Sequence, residues 1–159
     1  MSKQFSTLGL SAPILKALGE LNIVEPTEIQ QKTIPLLLSE NHDVVGLAKT
    51  GTGKTAAFGL PLLQLIDTES PVVQAVILVP TRELGHQIFR NLEDFSKYIP
   101  NISIAATCGG IPIKPQIERL TSPTHIIVAT PGRLIDLIQR KAVDLKPVSY
   151  THLTLPTKA

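Results

Sequence analysis

Asp43-Val44-Val45-Gly46-Leu47-Ala48 runs directly into Lys49-Thr50-Gly51-Thr52-Gly53-Lys54-Thr55: an apolar β-branched run, then a glycine-rich turn. A segment of helical period, Lys54 to Asp67, comes next. Strand, glycine-rich loop and helix in that order form a phosphate-binding loop, here with Ala48 in the first glycine position. Gly51 and Gly53 let the backbone turn its N–H groups inward around an anion, and the helix adds its positive N-terminal end. Lys54 is placed to reach the β- and γ-phosphates, and the Thr55 hydroxyl suits a Mg²⁺ ligand. The plainer alternative, a strand–helix turn with a solvated lysine, leaves the Gly-Lys-Thr ending without a reason. The loop alone does not separate an ATPase from a GTPase or a small-molecule kinase.

Outward from the loop, short apolar runs alternate with helix-length segments. Gln74 to Val79, Ile102 to Ala106 and His125 to Ala129 join Asp43 to Ala48 as predicted strands. Each is almost continuously apolar, the pattern of a parallel sheet covered on both faces. Predicted helices span Arg82 to Tyr98, Lys114 to Leu120 and Gly132 to Arg140, with two more upstream at Ser11 to Glu20 and Pro26 to Leu38. This order implies an α/β fold with a mostly parallel sheet and crossover helices on both faces. The 159 residues are 43% hydrophobic and 18% charged, with a net charge of only +2, which excludes a disordered chain. A single cysteine excludes a disulfide scaffold, and no apolar run nears the ~20 residues of a membrane span. The start lacks the layout of a signal peptide, so a cytoplasmic location is expected. Four Phe, two Tyr and no Trp point any nucleic-acid contact toward phosphates more than base stacking.

Two helix starts repeat one arrangement. Thr81-Arg82 comes after the second predicted strand, and Thr130-Pro131-Gly132-Arg133 after the fourth. Threonine suits the N-cap and proline the first helical position. An arginine in a first turn opposes the helix dipole unless an anion lies there, or unless it pairs with a neighbour such as Glu83. With Gly109-Gly110 after the third strand, these residues could form a track for a phosphodiester backbone, which carries no base information. Gln30, in Pro26-Thr27-Glu28-Ile29-Gln30, can present both a donor and an acceptor to adenine. Its neighbour Gln31 reads as an ordinary exposed glutamine. His42, His86, His125 and His152 show no metal-ligand spacing with Cys108 or one another, and read as surface or packing residues. Cys108 reads as a small buried apolar residue.

In order and spacing these segments resemble the first RecA-like domain of the DEAD-box ATP-dependent RNA helicases. Phe5 with Pro26 to Gln30 is similar to the family's Q motif, and Ala48 to Thr55 to motif I. Pro80 to Leu84 with Gln87 resembles motif Ia, Gly109-Gly110 the GG element, and Thr130 to Arg133 motif Ib. The resemblance implies a P-loop NTPase fold and use of ATP and Mg²⁺. It assigns Thr27, Gln30, Ala48, Lys49, Thr50, Gly51, Thr52, Gly53, Lys54 and Thr55 to the nucleotide, with Lys54 and Thr55 closest to its chemistry. It assigns Thr81, Arg82, Gly110, Thr130 and Arg133 to the RNA sugar-phosphate backbone. RNA is the implied partner of a monomer, with no membrane and no particular protein partner, and the wording of the motifs looks bacterial. Two residues depart from the family: Ile23 stands where an aromatic often stacks on adenine, and Gly85 replaces an alanine of motif Ia, a change expected to be harmless.

By the same resemblance, residues 1–40 form a helical preface, 41–146 an incomplete RecA-like ATP-binding domain, and 147–159 a tail without family counterpart. The 159 residues contain no Asp-Glu-Ala-Asp, whose carboxylates organise Mg²⁺ and the attacking water in this family. The expectation is helicase sequence to about Leu145 or Lys146 and foreign or read-through sequence beyond, with Val148 to Leu155 able to form an edge strand. Loss of a central strand would expose core surface and an unpaired edge. The competing readings are part of an ATP-driven helicase, or a nucleotide- and RNA-binding module without turnover. A small-molecule kinase would leave Pro80 to Leu84 and Thr130 to Arg133 without a role.

Overall fold

The computed structural model describes residues 4–39, 43–148 and 150–153. Among the described residues the chain divides into two compact units, one within residues 4–65 together with Asn91–Pro100, the other of Ile66–Arg90 with the described residues from Asn101 to Leu153. The first unit is helical. After a short 3-10 turn at Phe5–Leu8 come α1 (Ala12–Glu20), α2 (Glu28–Ser39) and α3 (Lys54–Leu65), with the last residues of α4 (Arg82–Ser96). Helix α1 buries Ile14, Ala17 and Leu18, the i, i+3, i+4 stripe of an amphipathic helix. Helix α3 is buried continuously from Ala56 to Leu63. Gly59 permits this: a Cβ there would lie 2.8 Å from Leu92 Cδ2 of α4. The α3 residue Gln64 accepts from the Ser11 N–H at 2.7 Å and donates to the Gly9 carbonyl at 2.9 Å, pinning the entry to α1. Ser11 therefore sits at the cap position but makes no side-chain cap bond.

The second unit holds a four-stranded parallel sheet of order β2-β3-β1-β4, with β1 at Ala75–Leu78, β2 at Ile104–Thr107, β3 at Ile126–Ala129 and β4 at Tyr150–Leu153. Between strands lie α4, α5 (Lys114–Leu120) and α6 (Pro131–Gln139). Register aligns Ala75 with Ile126 and Tyr150, and Ile104 with Ile126. Side chains alternate across the sheet. Val76, Ile127 and Ala129 pack with Leu134 of α6 and Leu120 of α5. On the other face, Gly85 of α4 lies against Val79 and Val128. Helices thus cover both faces, and β3 is buried along its whole length, which is why its sequence is apolar at every position. His125, 2% exposed, precedes β3 and accepts the Ser103 N–H at Nδ1 at 3.0 Å, a packing role.

The strand expected at Asp43 to Ala48 does not form. Residues 43–49 adopt no regular structure, and Val45 and Leu47 are 88% and 91% exposed. β-Propensity expresses itself only against a neighbouring strand, and none of the four described strands pairs with this run. At the other end, the expected edge strand is present as β4, bonded only to β1 within the described sheet; Leu155 lies outside the described residues.

Candidate nucleotide and nucleic-acid sites

In the first unit, the phosphate loop is drawn in on itself. Gly51 and Gly53 have φ of +76° and +80°, the left-handed region that favours glycine. Lys54, the first residue of α3, donates to the carbonyls of Ala48 and Lys49 at 2.6 and 2.8 Å. The Thr52 hydroxyl donates to the Lys49 carbonyl at 2.8 Å. Thr50 is exposed and Thr55 partly so at the second position of α3.

The start of α2 braces this loop. The Thr27 hydroxyl donates to the Thr52 carbonyl at 2.9 Å, and Gln30 Nε2 donates to the Gly53 carbonyl at 3.1 Å. Gln30 Oε1 accepts the Thr27 N–H at 2.9 Å, fixing which end of the amide faces the loop. Gln30 is 3% exposed and so is not the solvent-facing helix residue its sequence neighbourhood allows. Its neighbour Gln31 is not free either, donating to the Pro26 carbonyl at 2.8 Å. Among these residues, Thr27, Gln30 and Lys49 to Lys54 form one hydrogen-bonded assembly.

In the second unit, parallel β1, β3 and β2 deliver three turns to one sheet edge, their carboxyl ends, where open α/β sheets place ligands. Thr81 caps α4, its Oγ1 accepting the Leu84 N–H at 3.3 Å. Arg82 leans on Glu83 at 3.2 Å, an exposed pair of the kind worth little in stability. The Glu83 carboxyl is held below its ordinary range by its own backbone N–H first, and by Arg82 second. Gly110 has φ +82°, and a Cβ there would lie 3.2 Å from Arg82 Nη1.

Thr130 occupies the N-cap position of α6 but makes no side-chain cap bond; its Oγ1 instead accepts the Gly109 N–H at 3.0 Å. The hydroxyl is diverted because the neighbouring strand β2 brings Gly109 alongside. Arg133 Nη2 donates to the Ile111 carbonyl at 2.8 Å, while its Nη1 is buried without a partner among the described residues. Arg82, Gly110, Thr130 and Arg133 are therefore brought together around one glycine turn, with Thr81 next to Arg82 at the start of α4.

Two features carry no signal in the sequence. Gln116 of α5 donates to the Cys108 carbonyl at 3.0 Å from a buried position; a glutamine in a short polar helix gives no outward sign of this. Gly85 fits its surroundings more closely than an alanine would. A Cβ at this position would lie 2.8 Å from Cys108 Sγ and 3.1 Å from Val79 Cγ2. Cys108 itself is buried, and burial pushes its thiol pKa up, which suits packing rather than nucleophilic chemistry.

The family model described as DEAD/DEAH box helicase matches residues 27–153. The chain is 47% identical over 145 residues to the DEAD-box ATP-dependent RNA helicase CshA of Streptococcus pneumoniae, covering 91% of this chain and 27% of that protein. It is 46% identical to the ATP-dependent RNA helicase DeaD of Escherichia coli, covering 91% and 23% respectively. The chain thus spans about a quarter of the length of these curated relatives. A DEAD box protein crystal structure from the hyperthermophile Methanococcus jannaschii superposes with a TM-score of 0.88 at 41% identity, over 96% of this chain and 42% of that one. Saccharomyces cerevisiae Dbp5 bound to RNA and ADP BeF3 superposes with a TM-score of 0.84 at 29% identity, over 96% and 38%. Both neighbours carry the RecA-like fold that the sequence implied, of which this sheet is an incomplete version. A family match across most of the residues, agreeing with the fold, places this chain in the DEAD/DEAH box helicase family.

Proposed function

We propose that the chain is the nucleotide- and RNA-binding part of an ATP-dependent RNA helicase acting in the bacterial cytoplasm, and that on its own it is a monomer that binds both ligands without turnover. The observation that carries the nucleotide half is the Thr27–Gln30–Gly53 bridge, because it ties the candidate adenine reader to the candidate phosphate loop. Gln30 keeps one Nε2 hydrogen and one Oε1 lone pair beyond those bonds, the complement of adenine N7 and N6. Lys54 would exchange the two loop carbonyls for the phosphates. The donor set fits Mg²⁺ in the limited sense of Thr55 supplying one hydroxyl oxygen and the phosphates the rest.

In the second unit the proposed partner is a single RNA strand held by sugar and phosphate. Arg82 and Arg133 supply charge, Thr81 and Thr130 hydroxyls, and Gly110 an uncrowded backbone. Such contacts are independent of base sequence and weaken with salt. The binding-only reading for the isolated chain is favoured by the absence of Asp-Glu-Ala-Asp from its 159 residues.

Fluorescent ATP and GTP analogues, titrated against wild type and Lys54→Ala, test the first half. The expected result is preference for adenine and loss of binding in the variant. Phosphate release with and without RNA tests the second. No RNA-stimulated release is expected from the wild-type chain, and activity that survives purification and vanishes in Lys54→Ala would refute the binding-only reading.

A further inference from the structure

We propose that Gln116 is a positioning residue for RNA binding, fixing the Gly109-Gly110 turn from the side of α5. This rests on the reading of the second unit as an RNA-binding surface. Gln116 is 6% exposed, and its Nε2 donates to the Cys108 carbonyl at 3.0 Å. A carbonyl partner requires the nitrogen end of the amide to face Cys108. The oxygen end is left buried, and Oε1 has no hydrogen-bond partner among the described residues.

That arrangement is a poor one for stability alone. The bond satisfies the Cys108 carbonyl but leaves Oε1 as a buried acceptor without a donor, so much of what it contributes to stability is offset within the same side chain. The bond matters because Cys108 leads directly into the glycine turn. Two further anchors of that turn come from the start of α6 and its N-cap: Thr130 Oγ1 on the Gly109 N–H, and Arg133 Nη2 on the Ile111 carbonyl. Gln116 supplies an anchor from a different helix, α5. Without it the Cys108–Gly109 peptide can rotate, and with it the left-handed Gly110 beside Arg82. A glycine turn presents backbone groups to a sugar-phosphate chain only while its peptide planes are held.

The test uses the full 159-residue chain with Gln116→Leu and, as a second variant, Gln116→Met. Three quantities are measured: the thermal midpoint, affinity for a fluorescein-labelled single-stranded oligouridylate by anisotropy, and affinity for a fluorescent ADP analogue. The expected pattern is a midpoint unchanged or modestly lowered, because the Cys108 carbonyl loses its donor while the orphaned Oε1 is removed, with unchanged nucleotide affinity and RNA affinity weaker by about two- to tenfold. RNA affinity equal to wild type in both variants overturns the proposal. So does a lowered midpoint with joint loss of RNA and nucleotide binding, which would make Gln116 a structural residue. A wild-type chain that binds nucleotide but no RNA overturns the RNA reading itself, a result distinct from wild-type binding that the variants retain.

Discussion

Gly53 and Gln30 are fitted to each other: the Gly53 carbonyl accepts Gln30 Nε2 at 3.1 Å, and that same amide fills the space a Cβ at residue 53 would need. Residue 53 also sits at φ +80°. Gly53→Ala therefore meets two obstacles at once, strain in the backbone and overlap with the brace. Nucleotide binding should be lost in Gly53→Ala and weakened in Gln30→Ala, with far-ultraviolet circular dichroism preserved in both. Wild-type affinity in Gly53→Ala would remove the basis for the brace.

The salt dependence of RNA binding is expected to report the two arginines. Arg82→Ala and Arg133→Ala should each lower the slope of log affinity against log salt by about one. Glu83→Gln should act oppositely at low salt, because it releases Arg82 from its exposed 3.2 Å pairing. Anisotropy titrations at several salt concentrations separate these outcomes; an unchanged slope in Arg133→Ala would show that this side chain does not meet a phosphate.

Gly85 and Cys108 should behave as a coupled pair. Gly85→Ala gains about 1 kcal/mol of helix propensity, but overpacks against a sulfur 2.8 Å from the new Cβ, at about 1–3 kcal/mol. The net expectation is modest destabilisation. In a Cys108→Ala background the sulfur is gone and the penalty should shrink to that of the remaining 3.1 Å approach to Val79 Cγ2, a difference that a denaturant-based double-mutant cycle measures. Additive effects would mean that the helix simply shifts.

His125 gives stability a pH dependence near neutrality. Burial lowers its pKa from 6.5, against the opposing influence of Asp67 and the Ser70 backbone. The unfolded chain thus binds the proton more readily than the folded one, so stability is complete above pH 6.5 and falls as pH drops from there toward the folded-state value. Protonation would also remove the Nδ1 acceptor that Ser103 uses. Thermal midpoints between about pH 7.5 and 5.5 should decline in wild type and flatten in His125→Gln. The lowered carboxyls of Glu20, Glu28 and Glu83 act in a more acidic window, below 4.5.

The parts legible in the sequence were those with local causes. Lys114–Leu120 carries its helix period within itself, and Ile126–Ala129 is apolar because both its faces are covered. The phosphate loop is legible because the φ values it needs are written as glycine. What the sequence leaves open depends on partners distant in the chain. Asp43 to Ala48 has the composition of a strand, but composition does not say whether a neighbour is there to bond it. Thr130 reads as a cap, and only the arrival of Gly109 from β2 redirects its hydroxyl. Gln116 and Gly85 owe their roles to one cysteine on another element.

The exposure of Val45 and Leu47 makes protein concentration a chemical variable for this chain. Exposed apolar chain of that kind is a template for pairing with a like segment, so the monomer proposed above is expected at low concentration and a bimolecular side reaction at high concentration. The run leads straight into the phosphate loop, so pairing there would crowd the adjoining ligand residues. Apparent nucleotide affinity should therefore improve on dilution, through reaction order rather than through any change in the loop.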